Sequence, residues 1–344
     1  MLQSIGGLRR TDRIRQHRGH AIMKTKIAGP FGTARHVMTL PTAEVREMYR
    51  KKCNVDIGAH FKSVREIDLF ECMQTGYRFW RPDVVSGDES FYKELSGAWT
   101  HYYRDWRWEY GPTRDLLGRS DRLLEVGCGR GYFLRSIEHR VASAIGLELN
   151  RQAIATKVTS SQIRAELVAD AARAAAGTFD VVCSFQVLEH VTDPAAFIAA
   201  CIECLKPGGL LVFSTPNYRH PAHQRRQDAF DLPPHHMGHF SRDVYKRLAA
   251  VYGLKLDFIL EQARYDRSAT ESTSSSSGSL HRCAVSAGKA ILNRLHRMLH
   301  GPGHTMLVAF RKPVGSADDA PGSGCSDALT PPRKTRRKPP LSGR

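Results

Sequence analysis

The 344-residue chain contains no apolar run approaching the roughly 20 residues that span a bilayer, so a membrane-spanning protein is not expected. Met1–Ala21 has no continuous apolar core, which argues against a secretory signal. That Arg-rich, acid-poor start fits a plain tail, a mitochondrial presequence, or a start upstream of a true first residue at Met23; the plain tail and Met23 are the preferred readings. A disulfide framework is also missing. The cysteines at 53, 72, 128, 183, 201, 204, 283 and 325 are scattered, several in apolar segments, which suits reduced thiols in a cytoplasmic protein. Only Cys201-x-x-Cys204 has ligand-like spacing; it lies in an apolar helical run with no second pair and is read as packing. With 41% apolar and 25% charged residues, neither wholesale disorder nor a fibrous repeat is expected.

Acids are scarce relative to bases: 34 against 51, a net charge of +17. The excess sits mostly at the ends. Residues 1–36 carry eight Lys/Arg and one acid, and residues 311–344 carry eight against three. Basic ends can bind nucleic acid or an anionic membrane, but solvated tails are the simpler reading. Ala284–Leu299 reads as a basic amphipathic helix, and peripheral membrane contact through residues 284–299 is its alternative to packing on its own domain. Ser268–Ser279 reads as flexible.

The middle of the chain alternates short β-prone runs with helical ones. Strands are predicted at Arg122–Val126, Ala144–Leu149, Leu167–Ala169, Phe179–Phe185 and Leu210–Ser214, and two more at Leu254–Leu260 and Thr305–Arg311. Helices fall between them at βαβ spacing, which indicates a parallel sheet. Before this unit, residues 41–112 are aromatic-rich and end in Trp99, Tyr102, Tyr103, Trp106, Trp108 and Tyr110; that density predicts a packed cap. Trp106 and Trp108 are read as packing of this cap on the sheet, with stacking on an aromatic or cationic ligand as the alternative.

The most informative segment is Leu123-Leu124-Glu125-Val126-Gly127-Cys128-Gly129-Arg130-Gly131, a strand running into three glycines where a helix begins. Glycine lets the backbone turn sharply and a ligand approach closely. The spacing is G-x-G-x-G, one residue short of a dinucleotide fingerprint, and no Lys-Ser/Thr follows, which excludes a P-loop. Glu148 ends the next strand at the spacing of a ribose-binding acid, and Asp170 follows the predicted third strand, where a side chain can meet an adenine edge.

Leu124–Gly131, Glu148, Ala169-Asp170-Ala171, Phe179-Asp180-Val181-Val182, Val187-Leu188-Glu189-His190-Val191 and Leu205-Lys206-Pro207-Gly208-Gly209 together resemble the class I S-adenosylmethionine-dependent methyltransferases, in order and spacing across roughly residues 113–220. The resemblance implies a Rossmann-like, mostly parallel seven-stranded sheet whose last strand is antiparallel, with S-adenosyl-L-methionine as cofactor. Gly127, Gly129 and Gly131 would then line the methionine end, Glu148 hold the ribose, Asp170 the adenine amino group, and Gln186 lie beside the methionine or sulfonium. Glu125 matches the acidic position before the glycines. The aromatic region also resembles the N-terminal part of a bacterial subgroup of these enzymes. The implied organisation is a basic flexible tail at 1–40, a cap and substrate region at 41–112, the methyltransferase domain at 113–312 with a flexible insertion and basic helix at 266–302, and a basic disordered tail at 313–344.

Methyl transfer to oxygen needs a base unless the hydroxyl is already acidic. His190, after the fourth strand, and His235 and His236, in the Pro-stiffened loop Asp231–Ser241, are the candidates. No metal is expected. Some quinone-biosynthesis O-methyltransferases surround Mg²⁺ with two acids and a histidine; Glu189 and His190 match, but Gln186 replaces the other acid, a poor exchange for a hard cation. The leading expectation is a methyltransferase for a small-molecule or glycan-like acceptor, with oxygen favoured over carbon or nitrogen. A nucleic-acid methyltransferase is the alternative suggested by the basic ends, although no Asn/Asp-Pro-Pro-Tyr/Phe signature or Pro-Cys nucleophile follows the fourth strand. A non-catalytic cofactor-binding interaction module is the other.

Overall fold

The computed structural model describes residues 26–98, 104–224, 228–262 and 303–314. The Ser-rich stretch, the basic helix at 284–299, the first 25 residues, Trp99, Tyr102, Tyr103 and residues 315–344 lie outside these.

The chain begins with an antiparallel hairpin, β1 (Lys26–Gly29) and β2 (Gly32–Pro41), turned through Pro30 and Phe31. This corrects the reading of residues 26–40 as tail. Along β2, Ala34, His36, Met38 and Leu40 are the less exposed set and Arg35, Val37 and Thr39 the exposed one, the period-two pattern of a half-buried strand. The hairpin continues into β3 (Glu66–Cys72) and β4 (Arg78–Arg81). Between β2 and β3, the helix Thr42–Cys53 buries Val45 and Tyr49. These two pack with Ile57, Phe61, Ile67, Trp80, Phe91 and Leu95 in a cap core of their own.

The second unit is the predicted parallel sheet: β5 (Arg122–Val126), β6 (Ser143–Leu147), β7 (Gln162–Arg164), β8 (Phe179–Phe185) and β9 (Leu205–Pro216). After β9 the chain returns to the cap, where β10 (Gly238–His239) pairs antiparallel with β4. It then completes the large sheet with β11 (Lys255–Glu261) and β12 (Thr305–Arg311), both pairs antiparallel. The seven strands run in the order β11-β12-β9-β8-β5-β6-β7, and the cap strands β1-β2-β3-β4-β10. The sheet core holds Leu124, Val126, Val182, Leu211, Phe213 and Val308 on one face and Leu123, Phe133, Val181, Cys183, Val212 and Leu307 on the other. Cys201 and Cys204 are buried thiols on the first of these faces, as a packing role requires.

One predicted strand is displaced. Leu167–Ala169 is not β-structure: β7 ends at Arg164, and Val168–Ala175 is a helix. Leu167 is exposed, while Val168, Ala171 and Ala172 are buried at helical spacing, so the apolar run belongs to a helix face. Asp170 accordingly lies in the first helical turn, not at a strand end, where it pairs with Arg173. The strand predicted at Leu210–Ser214 is longer than expected: Pro207-Gly208-Gly209 lies within β9, with Gly208 at φ 77° and a register shift against β8.

Candidate functional site

The carboxyl ends of β5, β6, β8 and β9 meet at one edge of the sheet. The turn after β5 has Gly127, Gly129 and Gly131 at φ 75°, 55° and 80°, a region that L side chains avoid. The amides of Gly127 and Cys128 both donate to Leu147 O at the end of β6 (2.8 and 3.0 Å), which presses the turn against the neighbouring strand. Packing also demands glycine: a Cβ at Gly127 would strike Val187, and one at Gly131 would strike Thr159. Glu148 completes the turn. Its Oε2 accepts Gly129 N–H and its Oε1 accepts Asn150 N–H, both at 2.8 Å.

Glu125 is 2% exposed, and its Oε2 has no hydrogen-bond partner. Burial pushes its carboxyl well above the usual range, against the opposing charge of Arg107. Gln186, at φ 56°, donates from Nε2 to Glu109 Oε1 and Ser214 Oγ, both at 3.2 Å. Glu109 is itself buried, and desolvation raises its carboxyl despite Arg107. Trp108 donates Nε1–H to Thr305 Oγ1 at 2.7 Å, which ties the segment to β12; Trp106 is partly exposed. The structure thus gathers Glu125, the three glycines, Glu148 and Gln186 at one edge. Asp170, paired to Arg173, lies further along past β7.

These groups suit a nucleoside amino acid. Glu148 already takes two N–H donors with its two oxygens, the arrangement that two vicinal hydroxyls also satisfy. Glu125 is a buried acceptor in want of a donor, as an ammonium group provides.

The histidines converge on the same edge. Val187, against Gly127, leads into the turn Leu188–His190. The loop that carries His235 and His236 packs Phe230, Leu232 and Met237 into the cap core. Met237 joins the two units through its backbone: its N–H donates to Glu189 O (2.8 Å), and its carbonyl accepts Trp80 N–H (2.9 Å). Tyr49 O–H donates to Leu232 O (2.9 Å) and accepts His235 N–H (3.3 Å). The ring centroids of His190, His235 and His236 lie 4.4–5.0 Å apart, with Tyr92 5.8 Å from His190.

Asp231 anchors the loop. Its carboxylate meets His223 Nδ1 at 2.5 Å and His236 Nδ1 at 3.4 Å, and its carbonyl accepts His239 Nε2–H at 2.8 Å. Burial would raise the Asp231 carboxyl, but its two histidine partners outweigh this and hold it well below the usual range. Burial and the neighbouring His236 push His190 down to about 3, and burial drives His235 well below its ordinary value, so both rings are neutral at pH 7. Desolvation lifts Glu189 to about 7. Sequence reasoning missed Tyr49, Glu109 and Asp231 as site residues. The signal was an acid set in an aromatic run for Glu109, and the only carboxylate of the stretch Asp231–Ser241 for Asp231.

A seven-stranded sheet in this order, with a glycine turn after its first strand and an acid closing that turn from the second, defines a class I methyltransferase fold. A family model described as "Methyltransferase domain" matches residues 98–257. The chain is 38% identical over 112 residues to the ubiquinone biosynthesis O-methyltransferase of Methylococcus capsulatus, covering 30% of this chain and 45% of that protein. It is 38% identical over 164 residues to the one of Hahella chejuensis, covering 45% and 64%. It therefore spans 45% and 64% of the length of these two curated relatives. A solved methyltransferase from Archaeoglobus fulgidus aligns at 16% identity and TM-score 0.42, covering 66% of this chain and 95% of that one. The chain carries a methyltransferase domain of the class I S-adenosylmethionine-dependent family. Among the described residues, no helix is long and apolar enough to cross a membrane.

Proposed function

We propose that the protein transfers a methyl group from S-adenosylmethionine to an oxygen of a small-molecule or glycan-like acceptor. The observation that carries this reading is the placement of His190, His235 and His236 at the same sheet edge as the glycine turn, under the cap. The bound cofactor supplies an electrophilic methyl on sulfur. The role of the chain is to hold, align and keep dry. Glu148 would take the ribose hydroxyls, Glu125 and Gln186 would orient the methionine end, the three glycines would admit it, and Asp170 would exchange Arg173 for the adenine edge. His236, held by Asp231, would take the proton of an acceptor hydroxyl, and the uncharged rings of His190 and His235 would accept hydrogen bonds beside it. The ubiquinone biosynthesis O-methyltransferases among the relatives support oxygen as the target and a small molecule as the acceptor.

The test is turnover. The full chain with S-adenosylmethionine is offered a panel of phenols, catechols and sugars, and S-adenosylhomocysteine and the product are followed by mass spectrometry. An O-methylated product is expected. Exchange of His236 for alanine should lower kcat by about 10²-fold or more while the cofactor Kd stays put. Cofactor binding with no turnover across the panel, or methyl groups found only on nitrogen, carbon or nucleic acid, would refute the reading.

A further inference from the structure

We propose that His190, His235 and His236, with the carboxylate of Glu189, form a binding site for a divalent transition-metal ion of the zinc type. One ring nitrogen from each histidine lies within 4.8 Å of the others. A tetrahedral Zn²⁺ with bonds of about 2.0–2.1 Å brings its nitrogens to roughly 3.4 Å from one another, so closure takes a shift of about an ångström.

The hydrogen bonds behind the rings point the same way. His190 Nδ1–H donates to His235 O at 2.6 Å, His235 Nδ1–H to Phe230 O at 3.1 Å, and His236 Nδ1 faces the Asp231 carboxylate at 3.4 Å. Each ring is thus oriented through Nδ1 by a carbonyl or carboxylate, the outer support that metal-binding imidazoles almost always have. This tautomer puts the lone pair on Nε2 and directs coordination to that atom.

Glu189 supplies the independent observation. Its side chain is 2% exposed, its Oε2 has no hydrogen-bond partner, and its Oε1 lies 4.0 Å from His190 Nε2. A buried carboxyl group left in this state is costly. A cation between it and the three rings would give it a partner and make it the fourth, anionic donor. Three imidazoles and one carboxylate favour Zn²⁺, Fe²⁺, Ni²⁺ or Cu²⁺ over Mg²⁺ or Ca²⁺, which prefer all-oxygen sets. The Gln186 substitution, which weakens a hard-cation site, is no obstacle here because Gln186 is not among these donors.

The placement of this ion beside an acceptor rests on the proposed methyl transfer; its binding does not. There the acceptor hydroxyl would enter as a fifth ligand and be acidified, in place of a histidine base.

Metal content tests the site without cofactor or acceptor. The full chain is stripped with EDTA, dialysed against ZnCl₂ or MgCl₂, desalted and analysed by plasma mass spectrometry. One equivalent of zinc and no magnesium is expected. The Co²⁺-loaded protein should show the intense visible bands of a four- or five-coordinate site. His235→Ala/His236→Ala should lose the zinc, and Asp231→Asn, which weakens the support behind His236 along with the pair to His223, should weaken zinc affinity about 10- to 100-fold while His223→Asn, which removes the second contact alone, should not. Negligible zinc on the parent protein, weak octahedral Co²⁺ bands, or undiminished affinity in the folded double variant would overturn the proposal. The parent stoichiometry and cobalt spectrum decide even where the double variant does not fold. Zinc binding without methyl transfer would sink only the methylation reading, and methyl transfer without zinc binding only this one.

Discussion

At the scale of single residues, Glu148 is the group on which the proposed cofactor recognition turns. Its two oxygens hold Gly129 and Asn150 amides. Loss of charged hydrogen bonds of this kind costs about 1.5–3 kcal/mol. Glu148→Ala should therefore weaken S-adenosylmethionine binding by about 10- to 100-fold in calorimetry, with Glu148→Gln in between. Gly131 gives a stability prediction instead. At φ 80°, with Thr159 in the path of a Cβ, Gly131→Ala should lower the unfolding free energy by about 1–3 kcal/mol in urea titration. Both residues are legible in the sequence, because a turn and the acid closing it are set by local spacing. Glu109 is not. Its partner Gln186 lies 77 positions away, and no spacing rule joins a loop before β5 to one after β8.

At the scale of elements, the loop between β9 and β10 depends on ion pairs that titrate. Burial would lower His223, but its bond to Asp231 outweighs this and raises it above its ordinary 6.5. A raised histidine stabilises the fold fully below pH 6.5, and the contribution fades as pH climbs through the folded value. Asp231 is depressed, so its contribution is present above its ordinary 3.8 and is lost as pH falls through the folded value. The stability gap between the parent and His223→Asn should be widest between pH 3.8 and 6.5 and should narrow above it, as read by urea unfolding across pH. Element boundaries are legible where capping side chains mark them. Ser241 accepts Val244 N–H at 3.3 Å to start the helix Arg242–Val251, and Asp193 accepts Ala196 N–H at 3.0 Å to start Pro194–Cys204. They were not legible at Leu167–Ala169, where a short apolar run has no period of its own and only exposure separates strand from helix face. In β2 the alternation was present, but the flanking Gly-Pro-Phe-Gly and basic residues read as tail composition.

At the scale of the whole molecule, the site is made where the cap meets the sheet. The seven-strand sheet follows from alternating local patterns, so most of it could be read along the chain. The histidine group could not. It requires His190 from the sheet edge and two histidines from a loop whose apolar residues are buried in the cap. Tyr49 carries part of this junction from 183 residues away. Tyr49→Phe removes its bonds to Leu232 and His235 while keeping the ring. It should cost about 1–3 kcal/mol of stability and raise KM for the acceptor more than the Kd for cofactor, measured by unfolding and steady-state kinetics.

Met237 bears another part, with main-chain bonds to Glu189 and Trp80 and a side chain buried in the cap core. The two main-chain bonds survive an exchange of side chain, provided that an apolar group of similar size refills the buried space. Descendants of this protein are thus at liberty to rewrite the linings on either side, trading one acceptor for another, while the seam between their halves stays sewn.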